Sequence, residues 1–281
     1  MKELIKNIFS NNPILRKNKF YYYVQRYRQY KQYKIDYSKT THPEILDILQ
    51  EDGIYIIGNF IDKVTCDKIK DELSCDVNDA MQFNYKNWRK DSGHYLYQKS
   101  KKGYQRASDN SCRILNVDKL SVTAKSHFFS NSLIKEIAQA YISKKAHCYR
   151  KELDYKVEQK EDIDLRADNP HFDDWRHRFK AFLYLTDVSE DNAPFVYYKG
   201  SHEQVDWKKP HHLEFELKKT EGRYGHFNQK EFDKTAEANG YEELICTGKA
   251  GTLILADFRG IHKGTPIKSG KRILLNSTWG I

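Results

Sequence analysis

The spacing of apolar residues along the chain is first helical and then strand-like. The segment "HPEILDILQEDG" has a proline at its start and Gly53 at its end, which predicts a helix followed by the apolar strand "IYIIGNF". Asp62 precedes a second predicted helix, and "SLIKEIAQAYI" carries apolar residues at helical spacing. "CRILNV" reads as a strand between these two helices. Residues 75–110 are polar and irregular, so they predict long loops.

After residue 146 the pattern changes to short apolar runs separated by turn residues. We predict strands at about 146–158, 178–186, 194–198, 243–247, 252–256 and 271–279. Residues 203–242 interrupt these strands with a polar insertion, a candidate lid. Helices followed by a run of strands predict a mostly β domain with flanking helices, built as a sandwich or barrel.

The positive charge of the chain is concentrated at its amino terminus. The net charge is +9, but residues 1–40 hold ten Lys/Arg residues against Glu3 and Asp36, a net +8. This basic, tyrosine-rich arm is predicted to be separate from a domain over residues 41–281. Three interpretations stay open: tyrosines packed on the domain, contact with an anionic membrane surface, and, least favoured, nucleic-acid binding.

Cysteine usage and hydropathy indicate the compartment. The five cysteines are odd in number and widely spaced, with no Cys-x-x-Cys pair, so they predict neither a disulfide framework nor a zinc knuckle. No apolar run reaches the ~18 residues that span a bilayer, and the first residues lack the features of a secretory signal. We therefore expect a cytoplasmic protein, with peripheral contact to the inner face of a membrane through residues 1–40 as an alternative.

Candidate metal ligands lie in two segments, "NPHFDDWRHRFKAFLYLTDV" and "GTLILADFRGIHKGTP". In extended backbone, residues i and i+2 point the same way, so His171 and Asp173 can share one metal ion. His262 supplies a second imidazole. Two histidines and one carboxylate on one face of an octahedron leave three positions open for a bidentate cosubstrate and O2, which suits non-haem Fe(II). Each of these residues also fits an ordinary loop position.

A cation and an aromatic strand accompany the candidate ligands. Arg272 opens the last β-rich run, and a guanidinium that faces into a barrel needs an anionic partner, for which a carboxylate is the best geometric match. An exposed arginine at a strand end is the alternative. Lys180, Phe182 and Tyr184 share one face of the strand after the first ligand segment. That face either looks toward the metal or forms ordinary core packing.

Together these motifs resemble the phytanoyl-CoA dioxygenase family of Fe(II)- and 2-oxoglutarate-dependent oxygenases. The resemblance rests on the order His-x-Asp, His and Arg and on the segments "EDGIYIIGNFIDKVTCDKI", "AFLYLTDVSEDNAPFVYYKGSH" and "GTLILADFRGIHKGTP". It covers about residues 45–280 and implies a double-stranded β-helix (jelly-roll, cupin-like) core. It further implies iron on His171, Asp173 and His262, and 2-oxoglutarate that chelates the iron and places its C5 carboxylate on Arg272.

Further cosubstrate contacts follow from the resemblance, together with departures from the family pattern. Phe182 aligns with a family aromatic residue that looks toward the iron, and Tyr184 lies beside it. Family members often carry a hydroxyl residue two positions after the distal histidine, where this chain has Gly264; Thr265 is the substitute. The family's Gly-Pro and Pro-Gly-Ser-His turns are here Ala193-Pro194 and Lys199-Gly200-Ser201-His202.

The implied activity is hydroxylation of an unactivated C–H bond in a small molecule, with Fe(II) as cofactor and 2-oxoglutarate and O2 as cosubstrates. The basic arm favours a substrate made at the inner face of a membrane, such as a lipid-linked or surface saccharide, and a small soluble metabolite is the alternative. Two alternatives stay open: a non-catalytic binding or sensor protein that keeps the fold, and a zinc-dependent hydrolase, which can also use two histidines and a carboxylate. The lack of a His-Glu-x-x-His sequence and the spacing of Arg272 disfavour the hydrolase.

Overall fold

The computed structural model describes seven parts of the chain. These parts are residues 35–82, 96–97, 104–106, 112–158, 169–173, 177–202 and 227–281. Most of the predicted basic arm and residues 203–226 of the predicted lid lie outside the described residues. The last residues of the arm, from 35 onward, contact the domain: Asp36 N donates to Ala140 O at 2.9 Å, and Tyr37 Oη donates to Asp47 at 2.7 Å.

The helices begin where the sequence places capping residues. They are α1 (Pro43–Glu51), α2 (Lys63–Gln82), α3 (Ser132–Tyr141) and α4 (Gln229–Asn239), with shorter helical segments at Tyr37–Lys39, Val117–Lys119, Val122–Ala124 and Lys125–Phe129. Asp62 accepts a hydrogen bond from Thr65 N at 2.6 Å, and Asn131 accepts one from Leu133 N at 3.0 Å. These contacts satisfy the first amide groups of α2 and α3. No helix in the described part of the chain has the length and apolarity needed to cross a membrane.

Eleven described strands form two antiparallel sheets. They are β1 (Ile54–Ile57), β2 (Leu96–Tyr97), β3 (Tyr104–Arg106), β4 (Cys112–Leu115), β5 (His147–Val157), β6 (Phe179–Tyr184), β7 (Phe195–Lys199), β8 (Glu242–Cys246), β9 (Leu253–Asp257), β10 (His262–Lys263) and β11 (Lys271–Gly280). The larger sheet has the order β1-β9-β6-β11-β5-β4-β3-β2, and the smaller has the order β10-β7-β8. The predicted mostly β fold with flanking helices is therefore confirmed.

The larger sheet has an outer and an inner face because side chains alternate along each strand. Leu153, Leu275, Leu183 and Leu253 lie in one row across four neighbouring strands and pack outward with the buried residues of α1, α2 and α3. The next row points inward, toward the smaller sheet. Its apolar members pack with that sheet into a second core of Ile54, Phe182, Tyr184, Val188, Phe195, Tyr197, Cys246, Ile254, Ala256, Phe258 and Leu274.

The prediction of long loops over residues 75–110 was wrong in part. Residues 75–110 contain the end of α2 and the strands β2 and β3. Only one stripe of α2 is buried, so its polar surface concealed the helix, and strands of two and three residues are too short to show a period. The described part of the predicted lid contains α4, which begins after Asn228 and ends at Gly240, whose φ of 69° is left-handed.

Candidate metal centre and active site

The three predicted metal ligands lie together. One donor atom each from His171, Asp173 and His262 falls within a group whose members are all within 4.8 Å of one another. Asp173 Oδ1 is 4.0 Å from His171 Nε2 and 3.8 Å from His262 Nε2. Small side-chain rotations would therefore bring all three atoms to one ion with bonds of ~2.0–2.2 Å.

Backbone pairing fixes the two histidines side by side. The amide of His171 donates to the carbonyl of His262, and the reverse bond has the same length of 2.8 Å. His262 is also the first residue of β10, where it lies opposite Tyr197 of β7. Both imidazoles are thus held by the smaller sheet, with ring centres 4.5 Å apart.

Each imidazole is oriented by a carbonyl two residues earlier. His171 Nδ1 lies 2.8 Å from Asn169 O, and His262 Nδ1 lies 2.9 Å from Gly260 O. A carbonyl oxygen only accepts hydrogen bonds, so Nδ1 carries the proton in both rings. Nε2 then keeps its lone pair for a metal ion, as in histidine-liganded metal sites generally. The donor set therefore fits the divalent iron that the family resemblance implies.

Phe172 anchors the backbone between the two proximal ligands. Its buried ring lies 6.4 Å from the ring of Phe227, and both belong to an apolar cluster of Phe172, Val196, Tyr198, Phe227, Phe232, Ala236 and Ile261 that includes α4. Phe227 N also donates to Pro170 O at 2.8 Å. Because alternate side chains of extended backbone point in opposite directions, burial of Phe172 turns His171 and Asp173 away from this cluster and toward each other.

Asp173 uses its two carboxylate oxygens differently. Oδ1 faces both imidazoles, and Oδ2 accepts a hydrogen bond from Lys180 Nζ. Partial burial raises the pKa of Asp173, but Lys180 and the two histidines outweigh it and hold this pKa well below its ordinary value. The carboxylate is therefore an anion at neutral pH, as a metal ligand must be.

Arg272 lies on the inner face, where it already binds protein groups. Its Nη2 is 3.2 Å from Asp154 Oδ1, and its Nη1 donates to Ala193 O. Asp154 also accepts a hydrogen bond from Arg113 Nη2 at 2.8 Å. Burial raises the pKa of Asp154, but these two arginines bring it down to about 2. Arg272 Nε is buried and has no hydrogen-bond partner in the described structure, so it remains available to a further acceptor.

Lys156 and Thr265 adjoin Arg272. Lys156 is directly opposite Arg272 in the β5–β11 pair and is buried, with Nζ 3.1 Å from Thr265 O. The hydroxyl of Thr265 donates to Pro194 O at 2.9 Å. Ala193, at the family's usual glycine, has a φ of 57°, a left-handed conformation that glycine adopts more easily. This turn, Thr265 and the two cations form one continuous polar region.

Asp154, Arg113 and Lys156 were not predicted as site residues. A signal was nevertheless present in β5, "HCYRKELDYKV", where charged residues recur at every second position. A strand near the middle of a sheet that carries alternate charges must turn them toward a polar interior or toward water. Only the register of β5 with β4 and β11, which brings Arg113 and Arg272 to Asp154, identifies which of these applies.

Phe182 and Tyr184 share the inner face, as predicted. The ring of Phe182 lies 5.2 Å from Phe195 and 5.5 Å from Phe258, and Phe258 in turn lies 4.3 Å from the imidazole of His262. Tyr184 is fully buried and donates to Cys246 O at 2.8 Å. Their described contacts are those of core residues, and contact of either one with 2-oxoglutarate stays a prediction.

The fold and the donor set define a class of protein, the double-stranded β-helix oxygenases that use iron and 2-oxoglutarate. Within that class the chain belongs to the phytanoyl-CoA dioxygenase (PhyH) family, whose profile matches residues 49–273. This confirms the family resemblance found in the sequence. No curated protein sequence matches the chain.

Solved structures of low sequence identity share the fold. EctD from S. alaskensis with bound Fe has a TM-score of 0.55 at 12% identity, over 86% of this chain and 77% of EctD. The same protein with 2-oxoglutarate and 5-hydroxyectoine gives 0.56 at 13% identity, over 86% and 76%. SnoN, a non-heme α-ketoglutarate-dependent epimerase from nogalamycin biosynthesis, gives 0.53 at 13% identity, over 84% of this chain and 82% of SnoN. These similarities confirm the predicted double-stranded β-helix core.

Proposed function

We propose that this protein is an Fe(II)- and 2-oxoglutarate-dependent dioxygenase that hydroxylates an unactivated C–H bond of a small molecule. The observation that carries the proposal is the approach of His171, Asp173 and His262 to within 4.8 Å through their donor atoms. Membership of the PhyH family supports the general class. So do two neighbours of the same fold, EctD with bound Fe and SnoN with Fe3+ and α-ketoglutarate.

Each residue of the site has a role in this proposal. The three ligands would hold Fe(II) from one side and leave its other positions open. Bound iron, with 2-oxoglutarate and O2, supplies the oxidising chemistry. Arg272 would bind the C5 carboxylate through its free Nε, with Lys156 adding positive charge beside it. The binding site of 2-oxoglutarate is proposed to be lined further by Thr265, Phe182 and Tyr184.

The proposal is tested by anaerobic metal binding followed by turnover. We expect one Fe(II) per chain and succinate release that requires Fe(II), 2-oxoglutarate and O2 together. A zinc-dependent hydrolase would be active with Zn²⁺ and indifferent to 2-oxoglutarate. A sensor protein would bind Fe(II) and 2-oxoglutarate but would not convert 2-oxoglutarate to succinate, even when saccharide or lipid-linked candidate substrates are added. Either of these results would refute the proposal.

The role of Arg272 gives a separate prediction. Arg272→Lys keeps the charge but removes the planar fork and the free Nε. We expect 2-oxoglutarate affinity to fall by roughly 1–3 kcal/mol, the range for charged hydrogen bonds. Titration of the anaerobic Fe(II) protein with 2-oxoglutarate measures this. Lys271→Arg, at an exposed position next to it on β11, is the control and should change nothing. Unchanged affinity in Arg272→Lys would place the anchor elsewhere.

The basic arm is proposed to bring the enzyme to an anionic membrane surface. Because residues 36 and 37 contact the domain, a truncation should remove residues 1–34 only. Basic residues near such a surface contribute about 1 kcal/mol each, less at high salt. We expect the truncated protein to lose salt-sensitive binding to anionic vesicles and to keep its 2-oxoglutarate turnover. Loss of turnover or of thermal stability would instead show that the arm packs on the domain.

A further inference from the structure

Lys180 occupies an unusual place on the inner face of the larger sheet. Its side chain is 16% exposed, and its register neighbours on β11 and β9 are the uncharged residues Thr278 and Ala256. Burial of an ammonium group is costly unless the charge is compensated. Two groups in contact with the ammonium compensate it, since Asp173 Oδ2 accepts its hydrogen bond and the ring of Phe258 lies with its centre 3.9 Å from Nζ. The carboxylate of Glu152 adds a further electrostatic attraction.

These contacts divide the carboxylate of Asp173 between a metal and a lysine. Oδ1 is the oxygen that faces the two imidazoles, at 3.8 and 4.0 Å, while Oδ2 is taken by Lys180. The ring of Phe258 contacts the ammonium group of Lys180 and also packs on the ring of His262. Lys180 is therefore fixed by residues that touch both ligand segments, and it presents Asp173 to a metal through a single oxygen.

We propose that Lys180 is a positioning residue that adapts the metal centre to the anionic, chelating end of the cosubstrate; this inference rests on the proposed function. Two neutral imidazoles, Asp173 and Lys180 together carry no net charge. A divalent metal ion would then keep its full charge for the end of 2-oxoglutarate that chelates it, while Arg272 binds the C5 carboxylate. Without Lys180, the charge of Asp173 would offset part of the metal charge and weaken the attraction between the metal ion and that end of the cosubstrate.

The proposal predicts opposite changes in two affinities. The charge of Lys180 repels a metal cation and attracts the anionic cosubstrate. Removal of this charge should therefore strengthen metal binding and weaken 2-oxoglutarate binding. Removal would also free Oδ2 of Asp173, which could then bind the metal and occupy a position that the bidentate cosubstrate needs. A lysine that only stabilises the fold would, when removed, weaken both kinds of binding.

Lys180→Met keeps most of the length of the side chain without its charge, and Lys180→Arg keeps the charge. The probes are Co(II), whose visible spectrum reports coordination geometry, and 2-oxoglutarate added anaerobically to the Co(II) protein. We expect Lys180→Met to bind Co(II) at least as tightly as the wild type and 2-oxoglutarate at least about tenfold more weakly. Lys180→Arg should recover most of the 2-oxoglutarate affinity.

Lys263→Met is the matched control. Lys263 has nearly the same exposure, 15%, and is paired with Glu243. Its side chain contacts α4, β7 and β8 rather than the side chains of the ligands. The Lys263→Met substitution should change neither the Co(II) affinity nor the 2-oxoglutarate affinity. Weakening of both affinities in Lys180→Met, or unchanged 2-oxoglutarate binding, would overturn the proposal. If the wild type itself bound neither probe, the proposed function would fail, which is a different result. Lys180→Gln replaces Lys180→Met if the latter does not fold.

Discussion

His171→Ala and His262→Ala should each lose stoichiometric Fe(II) binding and reduce succinate formation to background. Mutation of a group that only orients a metal ligand lowers metal affinity or activity by about 10- to 100-fold. Removal of a ligand itself should therefore lower Fe(II) affinity by more than about 100-fold. Asp173→Ala should have the same effect on Fe(II), because it removes the single anionic donor of the site. Metal analysis after anaerobic loading and an assay of 2-oxoglutarate-dependent succinate release measure the two outcomes.

A histidine outside the centre provides the control for these variants. His42 precedes α1 with a half-buried side chain and belongs to neither ligand segment, so His42→Ala should bind Fe(II) and turn over like the wild type. Thermal unfolding of the metal-free proteins separates loss of a ligand from loss of the fold. Succinate formation that survives in His171→Ala or His262→Ala, at wild-type rates, would exclude these residues as the iron centre.

Strand positions could be predicted from the sequence because both faces of the larger sheet are buried. Its central strands, β6, β9 and β11, carry apolar residues on consecutive positions, and turn residues separate them. The predicted strand at 178–186 is β6, Phe179–Tyr184, and the one at 252–256 is β9, Leu253–Asp257. The short strands β2 and β3 have too few residues for a pattern, so they were missed.

The candidate ligands could be predicted because metal coordination restricts both the residue types and their spacing in the sequence. Imidazole and carboxylate at positions i and i+2 of an extended segment suit one metal ion, and the structure brings His262 to them. Their role as ligands stays a prediction. The partners of these residues could not be predicted, because register determines them. Lys180 contacts Asp173 from seven positions along the chain, and Arg272 meets Asp154 through strand pairing. Neither contact has a local signature in the sequence.

A buried ionic network beyond the metal centre is a further consequence of tertiary structure. Asp257, the last residue of β9, is buried and accepts hydrogen bonds from Arg259 Nε at 3.0 Å and from Tyr141 Oη at 2.9 Å. Arg259 Nη1 lies 2.7 Å from His177 Nε2, close after the proximal ligand segment. A Cβ at Gly260 would overlap the hydroxyl of Tyr197. The turn that leads to His262 is thus held in one conformation.

Asp257→Ala should destabilise the protein by about 3–5 kcal/mol, the cost of leaving a buried partner charge uncompensated. The charge left behind is that of Arg259, whose side chain is 11% exposed. Asp257→Ala combined with Arg259→Met should recover part of this loss. Equilibrium unfolding in urea at neutral pH measures both. Fe(II) affinity should also fall, because Gly260 O, which orients His262, lies in the turn that loosens.

Acid should weaken the ion pair between Asp257 and Arg259 in the wild type. Burial raises the pKa of Asp257, but Arg259 outweighs burial and holds this pKa well below its ordinary value of 3.8. The stabilisation is therefore complete above pH 3.8, the unfolded value, and is lost as pH falls below it. Asp191→Ala, which breaks an exposed pair with Lys268, should cost less than about 1 kcal/mol. Equal losses in Asp191→Ala and Asp257→Ala would mean that the buried network contributes no more than a surface ion pair.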